Sequence, residues 1–127
     1  MDTSEAFRTL EGHSASVTGV AVTADGKRAV SASFDRTLKV WDLKTGSTLR
    51  TLEGHAGAVY GVAVAADGKR AISASYDKTL KVWDLESGLV LATFTADASL
   101  YCCTFADSHK ILAGDAGGHL HFLQLVE

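Results

Sequence analysis

The chain has 127 residues, a net charge of −3, 46% hydrophobic residues and 21% charged ones. That balance suits one folded domain with a modest core and argues against intrinsic disorder. It shows no basic excess to meet nucleic acid, no apolar run near the ~20 residues that cross a bilayer, and no apolar leader in Met1-Asp2-Thr3-Ser4-Glu5.

In chain order the predicted elements are short strands. Ala6 to Leu10 reads as the first. Val17, Val20 and Val22 mark a β-branched run, and Ala24-Asp25-Gly26-Lys27 then supplies a hairpin turn, because Asp-Gly provides positive φ. Arg28 to Ser33, Thr37 to Leu43 and Ser47 to Leu52 follow, with Gly46 marking the last turn. The series then recurs. Thr9-Leu10-Glu11-Gly12-His13 returns as Thr51-Leu52-Glu53-Gly54-His55. Thr37-Leu38-Lys39-Val40-Trp41-Asp42-Leu43 returns as Thr79-Leu80-Lys81-Val82-Trp83-Asp84-Leu85. The period is about 42 residues, with Val59, Val62, Val64, the Asp-Gly-Lys turn at 67 to 69 and Gly88 in step. A weaker third copy follows, contracted by about two residues. The repeats span about 6–47, 48–89 and 90–127, leave no room for an ordinary helix, and place four short strands in each unit.

Gly-His, Asp-Gly-Lys, Ser-x-Asp and Trp-Asp at one fixed period resemble the WD40 repeat family, in a bacterial-type form. The resemblance covers nearly the whole of residues 1–127 as a single propeller segment. It implies an all-β fold: a WD40-type β-propeller with three four-stranded antiparallel blades per chain. It also implies a buried hydrogen-bond tetrad, carried over to His13, Ser33, Asp35 and Trp41 in blade one and to His55, Ser75, Asp77 and Trp83 in blade two. Such groups can satisfy one another in series, and each left unpaired would cost about 1–3 kcal/mol. The same residue types could make a hydrolase triad. Their recurrence with a Trp, without an indicated oxyanion hole, favours the structural role and no catalytic residues. In repeat three the tetrad positions fall on Asp97, Asp115, Gly117 and Leu123, the mark of a degenerate closing blade.

The resemblance further implies that Ala6 to Leu10, matching Thr48 to Leu52, is an outer strand without a blade, while blade three lacks its own. Three blades fall short of the usual 4–8. The ring is therefore expected to close by head-to-tail assembly, as a six-blade dimer first and a nine-blade trimer second, unless the chain is part of a longer protein. The partner-binding face by carry-over comprises Ser14, Ser16, Thr18, Phe34, Arg36, Ala58, Tyr60, Tyr76, Lys78 and Tyr101, with Leu100 and Ala116 nearby. Differences between the two good repeats cluster there, and the rings and Arg36 are residue types that dominate interfaces.

Cys102 and Cys103 are adjacent, so a bridge between them would be strained. Two unpaired thiols, at least one buried, are expected, which suits the cytoplasm. His119 and His121 are placed on one strand face without a third ligand, and His109 in a solvated turn, so no metal or other cofactor is expected. The function implied is a non-enzymatic scaffold that binds proteins or peptides, not nucleic acid or membrane. Two other readings are a C-terminal sensor segment of a larger bacterial signalling ATPase or kinase, and a propeller lectin or enzyme with a central-channel site. The chain has no G-x-x-x-x-G-K-[ST] phosphate loop of its own.

Overall fold

The structure, a computed structural model, describes residues 8–126. Among these residues it is all-β: β1 (Val17–Val22), β2 (Arg28–Ser33), β3 (Leu38–Asp42), β4 (Thr48–Leu52), β5 (Val59–Val64), β6 (Arg70–Ser75), β7 (Thr79–Asp84), β8 (Val90–Thr95), β9 (Leu100–Asp107), β10 (Lys110–Asp115) and β11 (Leu120–Gln124). They form three antiparallel sheets in simple up-and-down order, β1-β2-β3-β4, β5-β6-β7-β8 and β9-β10-β11. The third blade has three strands, as expected of a blade without its own outer strand. The strand expected at Ala6 to Leu10 lies partly outside the described residues, and 8–10 carry no strand.

The turns explain the regular order. Gly26 and Gly68 take φ 71°, the left-handed conformation a tight hairpin needs. Asp25 Oδ1 accepts the Lys27 N–H at 2.9 Å, and Asp67 does the same for Lys69. At the β3–β4 turn Asp42 Oδ1 accepts the N–H groups of Lys44 and Thr45, while the Gly46 N–H, at φ 79°, reaches the Asp42 carbonyl. Asp84 and Gly88 repeat this at β7–β8. The aspartate of each Trp-Asp pair is therefore a turn cap.

Strand alternation gives each blade two faces, and the blades stack by those faces. Val30, Ala32, Leu38, Val40 and Leu52 of blade one meet Val59, Ala71 and Trp83 of blade two, with Val62 and Val64 packed alongside. Ile72, Ala74, Leu80 and Val82 of blade two meet Leu100, Ile111 and Ala113 of blade three. The inner strands β1, β5 and β9 pack in succession. At the β5–β9 contact a Cβ on Gly61 would lie 3.0 Å from Cys102 Cα and 3.1 Å from the Tyr101 carbonyl oxygen, so the approach needs glycine. Polar side-chain contacts between blades include the Thr18 hydroxyl to the Val59 carbonyl, Arg28 to Gly68, Arg50 to Glu86 and Ser87, the Ser99 hydroxyl to the Tyr76 carbonyl and the Cys103 thiol to the Ile72 carbonyl.

Two outward faces lack a covering blade among the described residues. On blade one Val17, Val20 and Val22 are 57%, 65% and 55% exposed, although Val59, the copy of Val17, is fully buried against blade one. On blade three Leu120 and Phe122 are 70% and 63% exposed. Pairing of Leu112 with Phe122 and of Gly114 with both Leu120 and Cys102 places these residues on one face. Both thiols are free; Cys102 is exposed and Cys103 partly covered. Burial, with a smaller push from Cys102, raises the Cys103 thiol to about 12.

Candidate functional site

The two intact blades each contain a four-membered polar relay, but its serine is not the expected one. Trp41 Nε1–H donates to Ser31 Oγ at 2.8 Å, Ser31 Oγ lies 2.6 Å from His13 Nε2, and His13 Nδ1 lies 2.8 Å from Asp35 Oδ2. In blade two Trp83, Ser73, His55 and Asp77 repeat these distances. One direction satisfies every member: indole N–H to hydroxyl, hydroxyl to Nε2, and Nδ1–H to carboxylate. Ser33 and Ser75, assigned by sequence, stand outside the relay. Their hydroxyls accept the N–H of Asp35 and Asp77 and donate to carbonyls before β1 and β5, Ala15 in blade one and Gly57 or Ala58 in blade two. Cross-strand register decides between them. Trp41 pairs with Ala29 and Lys39 with Ser31, so Ser31 is one diagonal step from the indole and Ser33 lies further along, at the strand end.

Thr37 and Thr79, not singled out by sequence, close the relay. Each donates its hydroxyl and its N–H to Oδ1 of Asp35 or Asp77, and the N–H of Ser14 or Ala56 reaches Oδ2. Burial pushes the Asp77 carboxyl up. Hydrogen bonds from Thr79, His55 and Ala56 outweigh it and hold the group at about 2. In Asp35 the same balance, with Thr37, His13 and Ser14 as donors, lies far below the usual carboxylate range. Burial lowers the His55 pKa against the pull of Asp77, which keeps the imidazole neutral.

In blade three strand pairing puts Ala113 at the relay serine position, where Asp115 was expected, and Leu123 at the tryptophan position. Both are apolar, and Leu123 joins the core. Asp115 instead accepts His121 Nε2 at 2.8 Å and the N–H groups of Gly117 and His119. The His119 N–H, then the His121 ring, hold its carboxyl at about 2. His119 lies in the turn just before β11, yet its ring is on the His121 side as expected: the centroids are 6.4 Å apart, and His119 Nδ1 lies 3.4 Å from Asp115 Oδ1. His109 makes contacts with Ser108 and Asp107 in the β9–β10 turn.

The expected partner face divides on inspection. Phe34, Tyr60, Tyr76 and Tyr101 come together from three blades. Tyr60 is the hub, with ring centroids 5.6 Å from Phe34, 6.4 Å from Tyr76 and 4.9 Å from Tyr101, all edge-on. Phe34, Tyr76 and Tyr101 are 49%, 58% and 46% exposed, and Tyr60 is half-buried beneath them. Phe34, Arg36, Tyr60 and Tyr76 line a groove with the small residues 56 to 58. Arg36 and Lys78 are exposed at φ 75° and 72°. Thr18 turns its hydroxyl to blade two and Ala58 is half-buried, its carbonyl accepting the Tyr76 N–H. Ser14 and Ser16 lie exposed before β1, where Ser16 holds the Phe34 N–H through its carbonyl. Among the described residues no three His, Cys, Asp or Glu side chains converge as metal ligands, and no helix is long and apolar enough to cross a membrane.

The WD domain, G-beta repeat model matches residues 4–42 and 46–84, more than half of the chain. Similar curated proteins include the small ribosomal subunit protein RACK1 of Candida albicans, 54% identical over 41 residues, 32% of this chain and 13% of that protein. The vegetative incompatibility protein HET-E-1 of Podospora anserina is 52% identical over 40 residues, 32% of this chain and 3% of that protein. The cross-pathway control WD-repeat protein 2 of Flammulina velutipes is 49% identical over 41 residues, 32% of this chain and 13% of that protein. The matched stretch is thus one repeat, far less than two thirds of any of them. Family model, blade topology and repeated relay agree, and the chain belongs to the WD40 repeat family.

Proposed function

We propose that this chain is a non-enzymatic protein-interaction scaffold whose partners dock on the face carrying Phe34, Tyr60, Tyr76 and Tyr101. The four-ring array supports the reading. It gathers rings from three blades onto one surface and leaves three of them about half-exposed. Rings offer large contact area with few rotatable bonds, which makes them effective interface anchors. A hydrolytic role is disfavoured by the relay itself, since Ser31 and Ser73 are buried and already accept an indole N–H. Selection from a displayed random-peptide library, followed by measurement on Phe34→Ala and Tyr76→Ala, tests the face. The selected peptides should bind these variants at least about tenfold more weakly with thermal melting unchanged. Equal binding by folded variants would sink the reading.

Head-to-tail self-assembly is the second part of the reading, and residues 8–10 favour it. Arg8 bonds the Thr45 carbonyl of blade one as Arg50 of β4 bonds Ser87 of blade two, and Leu10 lies beside Gly46. This segment stands where the outer strand of a preceding blade would stand, beside the uncovered Val17 and Val20. The three-stranded blade three of a second copy fits the gap, its Leu112, Leu120 and Phe122 replacing Val30, Leu38 and Val40 of the internal interface. A six-blade dimer and then a nine-blade trimer are the closed forms, and the free thiols suit a cytoplasmic setting. Light scattering should give two or three chain masses, and a stable monomer at micromolar concentration would rule both rings out.

A further inference from the structure

We infer that the segment docking on the ring face is acidic, with carboxylates flanking an aromatic or branched apolar side chain. The inference rests on the proposed partner face and specifies its chemistry. Each of two adjacent blades presents the same device: an exposed ring, a relay aspartate and an exposed cation in succession, Phe34-Asp35-Arg36 and Tyr76-Asp77-Lys78. The two aspartates do not cancel the cations at the surface. Their side chains are 8% and 10% exposed, and their oxygens already accept the histidine ring, the threonine hydroxyl and backbone N–H groups. Each carboxylate is thus turned into its blade, and each cation is left outward.

The backbone reinforces this. Arg36 and Lys78 are the only described non-glycine residues with positive φ. That conformation is strained for a residue with a Cβ, and glycine would take it without strain. The turn is pinned from both sides, by the N–H of Arg36 on the Ser33 carbonyl and by Thr37 on Asp35. The backbone from which each cation projects is therefore fixed. Neither makes a side-chain hydrogen bond or ion pair with another described residue.

Between the two devices runs the groove walled by Phe34, Tyr60 and Tyr76. Gly57 keeps it open: a Cβ there would lie 3.2 Å from the Asp77 nitrogen and 3.5 Å from Tyr76 Cβ. A ring or branched side chain seated in it would have Arg36 in the groove wall and Lys78 two residues beyond Tyr76, where carboxylates gain charge-assisted hydrogen bonds and basic residues are repelled. The chain as a whole is acidic, so this cationic pair selects against its general charge. The exposed Asp97 follows Ala96, whose N–H holds the Lys78 carbonyl, so this acid would bias a docked acidic segment toward Arg36 and blade one.

The displayed-peptide selection also tests this, run in parallel on the unaltered chain and on Arg36→Glu/Lys78→Glu, with Arg36→Gln/Lys78→Gln as a neutral control. Peptides selected by the unaltered chain should be enriched in Asp and Glu next to Phe, Tyr or Leu. They should bind the Glu variant at least about tenfold more weakly, bind the Gln variant at an intermediate level, and weaken with added salt. Peptides lost on Phe34→Ala but indifferent to charge reversal would keep the face and overturn the acidic partner. Peptides indifferent to both sets of variants, or a selection with no binder to this face, would overturn both.

Discussion

Replacing Ser73 by Ala separates the two serine assignments quantitatively. Ser73 is fully buried, and its hydroxyl serves two buried groups, Trp83 Nε1–H at 2.8 Å and His55 Nε2 at 2.6 Å. The variant keeps the strand and the volume nearly intact but leaves an indole donor and an imidazole acceptor without partners. At about 1–3 kcal/mol for each of the two orphaned groups, the loss should be about 2–6 kcal/mol. Ser75→Ala removes a hydroxyl that holds a turn, where the Asp77 N–H is its main dependant, and should cost about 1 kcal/mol. With a urea slope of about 2 kcal/mol/M, the midpoint should fall by at least ~1 M for Ser73→Ala and by ~0.5 M for Ser75→Ala. Urea unfolding followed by tryptophan fluorescence reads both. Equal shifts, or a larger one for Ser75→Ala, would refute the assignment of Ser73 to the relay.

Acid should weaken the fold in two stages. The His55 pKa is lowered in the folded state, so the unfolded chain takes up the proton first, and stability drops as pH falls below about 6.5. Asp77, held at about 2, contributes stability that is complete above its ordinary value of about 3.9 and lost as pH falls toward 2. Melting temperatures from pH 8 to pH 2 should show both declines, and His55→Gln should remove the first. Gly61→Ala should cost about 1–3 kcal/mol by forcing β5 from the Cys102 and Tyr101 backbone, whereas Gly19→Ala, 3.4 Å from the Tyr60 carbonyl oxygen, should cost less. Paired chemical denaturation curves of the two variants check the order.

The fold was legible because each period carries its own punctuation. The Asp-Gly turns, Gly46 and Gly88, and the Trp-Asp pairs all sit where the strand ends fall. The relay was legible in three members of four. Ser31 and Ser33 are both serines, two apart on one side of a strand, and both recur a period later, so nothing local distinguishes them. Only the register of β2 against β3 does. The same register moves the blade-three position from Asp115 to Ala113. The aromatic residues were visible one by one, but their meeting at Tyr60 depends on how three blades stack, a distance of some 26 to 67 residues along the chain from Phe34 to Tyr60 and to Tyr101.

Each relay is closed within its own blade, and the apolar faces that join blades are nearly copies of one another. The polar network of a blade therefore needs nothing from its neighbour, and the docking code is generic. Within one chain the short connector at 53 to 58 allows blade two only one seat, beside blade one. Between chains nothing comparable restricts the choice, so blade two of one molecule can occupy the seat meant for its counterpart in another. Crowding during refolding should then yield exchanged species with every contact native and only the connectivity wrong, a hazard inherent in near-identical repeats.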